Sequence, residues 1–457
     1  MAHILCMTTG LTGILHSSFE VVSRLEEAGH RVTYGCPQDV RERVVAQGFT
    51  YVQLPPVVFE PAPPLPAYEG ALPSLMGAWK KWSTVRARRR AAVEALGMDA
   101  FVEILEDLSP DLLVVDMELH DFIITAVPRG IPVVLLSAWF STWKRPGLPP
   151  ITSSLQPGPG LRRRLRIERH WLIRRRKEWR KDLEAKLRTG FTDRRSVLRR
   201  YARTVGFPSG LLQKYNWPPP FTYRVLPVLS MTPERLEFPH RVRAGMEYVG
   251  PMVFEGRRDD GSESRAVGVA AVLAEARAAS RPLVLCSVSS MRTKDVDFLR
   301  RACAAVAARP DWLMIVGLGK SVEAADLGPV ADNIHVFSWV PQLQVLAQAD
   351  CCLNPGGINT INECVHFGVP MVIYSGGLSD QDGCAARVAY HGVGVRGHRA
   401  DDAEAVTKNI ERALEDPEIR SHVQELSEHS RSPAQRDRLV RIIHQHLPSR
   451  GSGERES

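Results

Sequence analysis

The sequence predicts an α/β protein built as two doubly wound halves, and three observations carry that expectation. A chain of 457 residues is too long for one ordinary hydrophobic core and suits two. Short apolar runs bounded by turn residues recur in two series: at 2–7, 112–115, 131–136 and 225–229, then at 283–288, 312–316, 334–337, 351–353 and 369–374. Helical patterns such as 19–28 separate them, the alternation that buried parallel strands with crossover helices produce.

Taken in order, Met1 to Met7 is a short apolar run ending in Thr8-Thr9-Gly10. It lacks the basic start and long apolar core of a signal peptide and reads as a first buried strand. The expected domains are an N-terminal one over 1–240 with a basic helical insert at 160–205, and a C-terminal one over 263–425. Between them 241–262 is a linker, because Glu247-Tyr248-Val249-Gly250-Pro251 is turn-rich. A C-terminal helix over 426–447 and a polar, Gly/Ser-rich disordered tail over 448–457 complete the chain. No stretch approaches the ~20 apolar residues of a membrane span. The eight cysteines include no Cys-x-x-Cys pair, and Cys351-Cys352 falls inside a strand, so buried thiols in a reducing cytoplasm are expected.

Net charge is +8 and unevenly placed. Between Arg162 and Arg203 stand 18 Lys and Arg against 5 Asp and Glu, which leaves the rest of the chain acidic. Two readings of that segment stay open: a solvated helical insert, which is what charge runs usually are, or an interfacial helix over 161–203 drawn to anionic lipid. Nucleic-acid binding is not expected, since no base-reading motif accompanies the charge.

Residues 339–381 hold most of the functional signal. The run at 334–337 ends a strand, so Trp339 falls at the carboxyl edge of a parallel sheet, where open α/β folds bind ligands; an indole there can stack on a nucleobase. Gly356-Gly357 lets the backbone approach a ligand before a helix opens near Asn359. A helix amino end presents unpaired N–H groups and a positive dipole end, which suits a diphosphate, and Asn359 and Thr360 add side-chain donors. Glu363, one turn along the same face, is an acceptor-only group of the kind that binds vicinal ribose hydroxyls. Asp380-Gln381, after the strand at 369–374, are placed to reach sugar hydroxyls. An ordinary strand–turn–helix would explain the Gly-Gly pair but not the whole series.

This stretch resembles the donor-binding signature of the inverting nucleotide-sugar glycosyltransferases of the plant UDP-glycosyltransferase and macrolide glycosyltransferase type. Those proteins have the GT-B fold, two Rossmann-like domains facing a central cleft, and the likeness continues more weakly over most of the chain. The resemblance implies that Trp339 stacks on the base and that Gln342 and Glu363 hold the ribose. It places Gly356, Gly357, Asn359 and Thr360 on the diphosphate, with Ser290 on a second strand-end loop, and Asp380 and Gln381 on the sugar. It also implies domain closure on donor binding. No metal and no resident cofactor are expected, with a nucleoside-diphosphate sugar, UDP or dTDP, as co-substrate.

Several positions depart from the pattern. The family's general base, a His at the entrance to the first helix, is replaced by Ile14, and the nearest imidazole is His16. Asp116 matches the carboxylate that orients the base, so His16 with Asp116 is the expected catalytic pair; a solvent-facing His16 is the alternative. Pro355 stands for a His that donates to the diphosphate, Ser289 for a Gly, and Cys384 for an Asn. Lys320 or Arg292 are candidates to replace the lost phosphate donor. A missing base costs ~10²–10⁴ in rate.

Other features have competing readings. Trp139, Phe140 and Trp143 form either an aromatic wall for an apolar acceptor or core. His120 and Asp121 are a reserve base pair or solvated loop residues. Asp295-Val296-Asp297 sits at a helix start, where Asp is favoured by capping rather than by a metal. Gly317-Leu318-Gly319-Lys320 lacks the Gly and Ser/Thr positions of a phosphate loop. The function expected is transfer of a sugar to a hydroxyl of a small, apolar, natural-product acceptor. The alternative is a GT-B relative that has lost sugar transfer and acts as a partner protein or on another natural-product reaction.

Overall fold

The computed structural model describes residues 1–57, 75–212, 222–258, 267–287, 296–319 and 322–448, with backbone alone at 75–82. Among the described residues the first half contains seven strands: β1 (His3–Met7), β2 (Arg31–Cys36), β3 (Thr50–Gln53), β4 (Leu112–Asp116), β5 (Val133–Ser137), β6 (Val228–Ser230) and β7 (Met246–Tyr248). All pair in parallel, in the order β3-β2-β1-β4-β5-β6-β7. The second half adds β8 (Leu283–Ser287), β9 (Leu313–Gly317), β10 (Ile334–Phe337), β11 (Cys351–Asn354), β12 (Met371–Ile373) and β13 (Gly394–Arg396), in the parallel order β10-β9-β8-β11-β12-β13. Strands β4, β5, β8 and β9 are buried at every position, which explains their unbroken apolar sequences: helices cover both faces of each sheet. In each sheet the order reverses beside the first strand, at β1/β4 and at β8/β11. Those are the points where an open α/β sheet leaves a crevice.

Five helices matter for the site: α1 (Thr12–Glu27), α2 (Leu161–Thr189), α3 (Ile358–Phe367), α4 (Gln381–Tyr390) and α5 (Arg438–His446). The basic segment is α2 followed by a helix at Arg194–Thr204, whose N-cap Asp193 accepts from the Ser196 amide. Within the segment expected to be a linker, Met246–Tyr248 forms β7, the edge strand of the first sheet. The helix expected over 426–447 is divided. A helix at Pro417–Arg431 stops before Pro433, which opens a short turn, and α5 follows. Leu439, Ile442 and Ile443 of α5 pack into the first half's core with Ile4, Leu15, Val22 and Leu25, so α5 crosses back from the second half to the first. Among the described residues no helix is long and apolar enough to cross a membrane. All eight cysteines are buried thiols.

A buried ion pair joins the halves. Arg387 on α4 and Glu237, which follows β6, have side chains 0% and 3% exposed, with Arg387 Nη2 2.6 Å from Glu237 Oε1. The guanidinium lies between the rings of Phe140 and Phe238, at 4.8 and 4.4 Å from their centroids.

Candidate active site

The carboxyl edges of β1 and β4 face those of β8 and β11 across the cleft, and the helices leaving β1 and β11 meet there. Ser17 Oγ on α1 donates to Asn359 Oδ1 on α3 at 2.7 Å. The approach requires glycine at position 13, since a Cβ there would collide with the Asn359 amide. Gly357 caps α3 without a side-chain hydrogen bond, and among the described residues a Cβ built on it meets no heavy atom within 4 Å. Gly356 adopts φ +88° and donates its N–H to Asn354 Oδ1 at 2.8 Å. The first-turn amides of α3 are thereby left without a side-chain cap, in the geometry that receives an anion.

Trp339, half-buried, follows β10, and Gln342 opens the next short helix. Ser287 Oγ at the end of β8 donates to Gln342 Oε1 at 2.9 Å. Gln342 Nε2 donates to Glu363 Oε2, with Thr360 Oγ1 3.4 Å away. The other Glu363 oxygen accepts from Arg257 Nη1 at 3.0 Å, in an ion pair whose two side chains are each 8% exposed. Both oxygens expected to meet a ribose are therefore already engaged. Arg257 carries no motif, and nothing in the sequence points to it.

Asp380 immediately precedes α4, is 9% exposed, and is pushed above the usual carboxylate range by burial. Cys384, the departure from Asn, is fully buried with Sγ 3.6 Å from Asp380 Oδ2. Gln381 Oε1 accepts from the amides of Gly376 (3.0 Å) and Leu378 (3.4 Å), so its carbonyl end holds the loop. Ser289, Ser290, Arg292, Asp295 and Lys320 lie outside the described residues.

The expected pair His16 with Asp116 does not assemble. His16 Nε2 lies 3.0 Å from Arg43 Nη2, and because a guanidinium can only donate, the imidazole lone pair is directed to Arg43. Burial, then the charges of Arg257 and Arg43, hold His16 well below the usual imidazole range. Asp116 is 2% exposed; its Oδ2 accepts from Thr9 Oγ1 at 2.9 Å and Thr9 N–H at 3.3 Å, and its Oδ1 from Glu118 N–H at 3.0 Å. The carboxylate thus braces its own strand-end loop instead of a histidine. Ile14 is 8% exposed, within the first half's core.

Neighbouring groups also depart from expectation. His120 and Asp121 are buried on the first turn of a helix rather than solvated on a loop. Burial, with Arg194 adding to it, pushes His120 down to about 3, and its Nδ1 is 3.3 Å from Tyr223 OH. Asp121 pairs with Arg194 Nη2 at 2.6 Å. Phe140 and Trp143 are core, covered by Arg387 and Arg243 respectively, so they do not wall the cleft; Trp139 is half-buried. Glu118, unnoticed in the sequence, lies two residues beyond Asp116 with a side chain that reaches solvent. Desolvation of its inner end and then the Asp116 charge push its carboxyl upward against the pull of Arg194, and solvent at the exposed end screens that shift. Asp297 is exposed on the first turn of the helix Val296–Ala307, and among the described residues no three metal-ligating side chains gather.

A family model described as Erythromycin biosynthesis protein CIII-like, C-terminal domain, matches residues 303–444. Over 464 aligned residues the chain is 26% identical to oleandomycin glycosyltransferase of Streptomyces antibioticus, covering 98% of this chain and 92% of that relative. Among solved structures, the glycotransferase of kitacinnamycin superimposes with a TM-score of 0.65 at 22% identity, covering 98% of this chain and 99% of the other. The glycosyltransferase VinC, solved in complex with DTDP, gives 0.58 at 18% identity, covering 97% and 100%. Two parallel sheets with their carboxyl edges on a common cleft place the protein in the GT-B class. Within that class the chain is similar to the macrolide glycosyltransferases over nearly its whole length, and it is a glycosyltransferase.

Proposed function

We propose that this glycosyltransferase moves a sugar from a nucleoside diphosphate, UDP or dTDP, to a hydroxyl of a small apolar natural-product acceptor, with inversion. The observation that carries the reading is the uncapped amino end of α3, with no described atom in front of Gly357, with Gln342 bonded to Glu363 and near Thr360 on the helix, and with the Gln381 backbone beside Gly356. The acceptor oxygen attacks the anomeric carbon from the face opposite the diphosphate. The bond to the diphosphate breaks as the new one forms, and the amides of Ile358, Asn359 and Thr360 receive the departing charge. Trp339 stacks on the base, and Asp380 with Gln381 orients the sugar.

The hydroxyl proton goes to a base on the first domain. Glu118, exposed two residues beyond Asp116 at the carboxyl end of β4, fits that task better than His16, whose lone pair is directed to Arg43. Glu363 binds ribose hydroxyls once Arg257 yields. Calorimetric titration with UDP, dTDP and GDP tests the reading: one of them should bind in the micromolar range, and Trp339→Ala should weaken that binding at least tenfold. Silence from all three would refute it.

The Arg257–Glu363 pair favours a second reading, a GT-B relative that no longer transfers sugar and serves as a partner protein or acts in another natural-product reaction. Under that reading the three nucleotides stay silent and Arg257→Ala restores none of them.

A further inference from the structure

Helix α2, 29 residues long, buries only Ile167, Trp171 and Thr189. A narrow face holds it to the molecule: Trp171 Nε1 donates to Leu148 O at 2.7 Å, Arg174 Nη1 to Thr152 Oγ1 at 3.1 Å, and Ser153 Oγ lies 3.3 Å from His170 Nδ1. Away from that face stand Leu161, Leu165, Leu172, Trp179, Leu183 and Leu187, exposed by 71, 58, 63, 63, 40 and 67%. At 3.6 residues per turn these six project within about 80° of arc, and the stripe lies about 130° round the helix from the Ile167 and Trp171 face. Single exposed leucines are ordinary on a soluble surface; a file of six along a helix about 43 Å long is not.

The charge on the same helix says what covers the stripe. It carries 13 Lys and Arg against 4 Asp and Glu. Two of the acids are already paired, Glu168 with Lys144 and Asp182 with Lys186 and Arg195. Arg162, Arg169, Arg175, Arg176 and Arg180 are exposed within or beside the stripe. A second copy of so basic a helix would be repelled, and a nucleic acid gains nothing from a file of leucines. An anionic bilayer satisfies both features at once, with apolar side chains in the acyl boundary and guanidinium groups at the lipid phosphates.

We propose that α2 docks this protein on anionic phospholipid, lying in the plane of the interface. Its inner face rests on the segment 148–153, and the Ile151 carbonyl there packs so closely on Gly383 of α4 that no Cβ fits. Docking therefore sets the first domain against the membrane with α2, about 10 Å across, and the segment 148–153 between the bilayer and α4, on the side of the molecule where an apolar acceptor dissolved in lipid is concentrated. That consequence rests on the proposed acceptor chemistry; the docking does not.

The test is flotation of the full chain with vesicles of phosphatidylcholine alone and of phosphatidylcholine with one-third phosphatidylglycerol. Partition onto the anionic vesicles should be at least tenfold greater and should fall as salt rises. Replacing three exposed arginines (R175Q/R176Q/R180Q) should lower it about a hundredfold, from the attraction each basic residue contributes near such a surface. Leu172→Gln with Trp179→Gln should lower it at least tenfold. All five positions are exposed, so the variants should keep the wild-type circular dichroism and nucleotide titration. Equal partition onto both vesicles, or none onto either, would overturn the proposal. So would a duplex oligonucleotide that binds the L172Q/W179Q variant as well as the parent and displaces the vesicles. A dimer in light scattering that is lost in L172Q/W179Q would assign the stripe to a second copy instead.

Discussion

Removing the Arg387 guanidinium tests whether the two domains are locked by charge or merely touch. In Arg387→Met the chain loses the contacts of Nε (2.7 Å) and Nη2 (2.6 Å) to Glu237 Oε1 and of Nη1 to Gly383 O (3.0 Å). Methionine retains much of the packing between Phe140 and Phe238. What remains is a buried carboxylate facing three neutral donors, the amides of Ser141 and Phe238 and the Tyr248 hydroxyl. Breaking a buried pair from one side costs ~3–5 kcal/mol because the other charge is stranded. With three donors left, the low end applies, about 3 kcal/mol. At an m-value of about 4 kcal/mol/M for a chain of this size, the urea midpoint should fall by about 0.75 M. Adding Glu237→Gln removes the stranded charge and should recover ~1–2 kcal/mol of the loss, so the double variant is more stable than Arg387→Met alone. A midpoint shift below about 0.2 M, or strictly additive losses in the cycle, would refute the reasoning.

Four further outcomes are expected. Trp339→Ala should weaken donor binding at least tenfold in calorimetry, since base–aromatic stacking contributes ~1–3 kcal/mol, whereas Trp339→Phe should keep most of it. Gly356→Ala places a Cβ 2.9 Å from Ile373 Cγ2 at a φ of +88°, so thermal stability and donor binding should both fall. Glu118→Gln should lower kcat ~10²–10⁴-fold and flatten the limb of the pH–rate profile that rises as this upward-shifted carboxyl ionises; an unchanged limb would exclude Glu118 as the base. The fourth concerns pH and stability. His120 is neutral when folded down to about 3, whereas the unfolded chain binds a proton below about 6.5, so stability falls as the pH drops through that window. At pH 5 the loss from this residue is about 2 kcal/mol relative to pH 7.5, and His120→Gln should remove that part of the slope in urea titrations.

Much of the architecture was legible because burial on both faces leaves an unmistakable pattern. Strands β4, β5, β8, β9 and β11 are short apolar runs in the chain, and the structure builds them as the interiors of the two sheets. The strands β3, β7 and β13 sit at sheet edges and are only three or four residues long, so their sequences carry little alternation; β7 was hidden inside an expected linker. The elements expected to carry the donor were equally readable, since Trp339 to Gln381 form one contiguous stretch in which strand end, turn and helix follow one another by local rules.

By itself the sequence determined the class: two parallel-sheet domains, a glycine-opened helix at the cleft and a basic amphipathic helix, all features set by the period of neighbouring side chains. Only the tertiary structure decided which groups meet. Arg257 reaches Glu363 across 106 residues, Arg387 reaches Glu237 across 150, and Ser17 reaches Asn359 across 342. It likewise turned His16 toward Arg43 and tied Asp116 to Thr9, undoing the expected pair. Such contacts depend on how two separately folded sheets pack, and no local periodicity encodes the angle at which they do so.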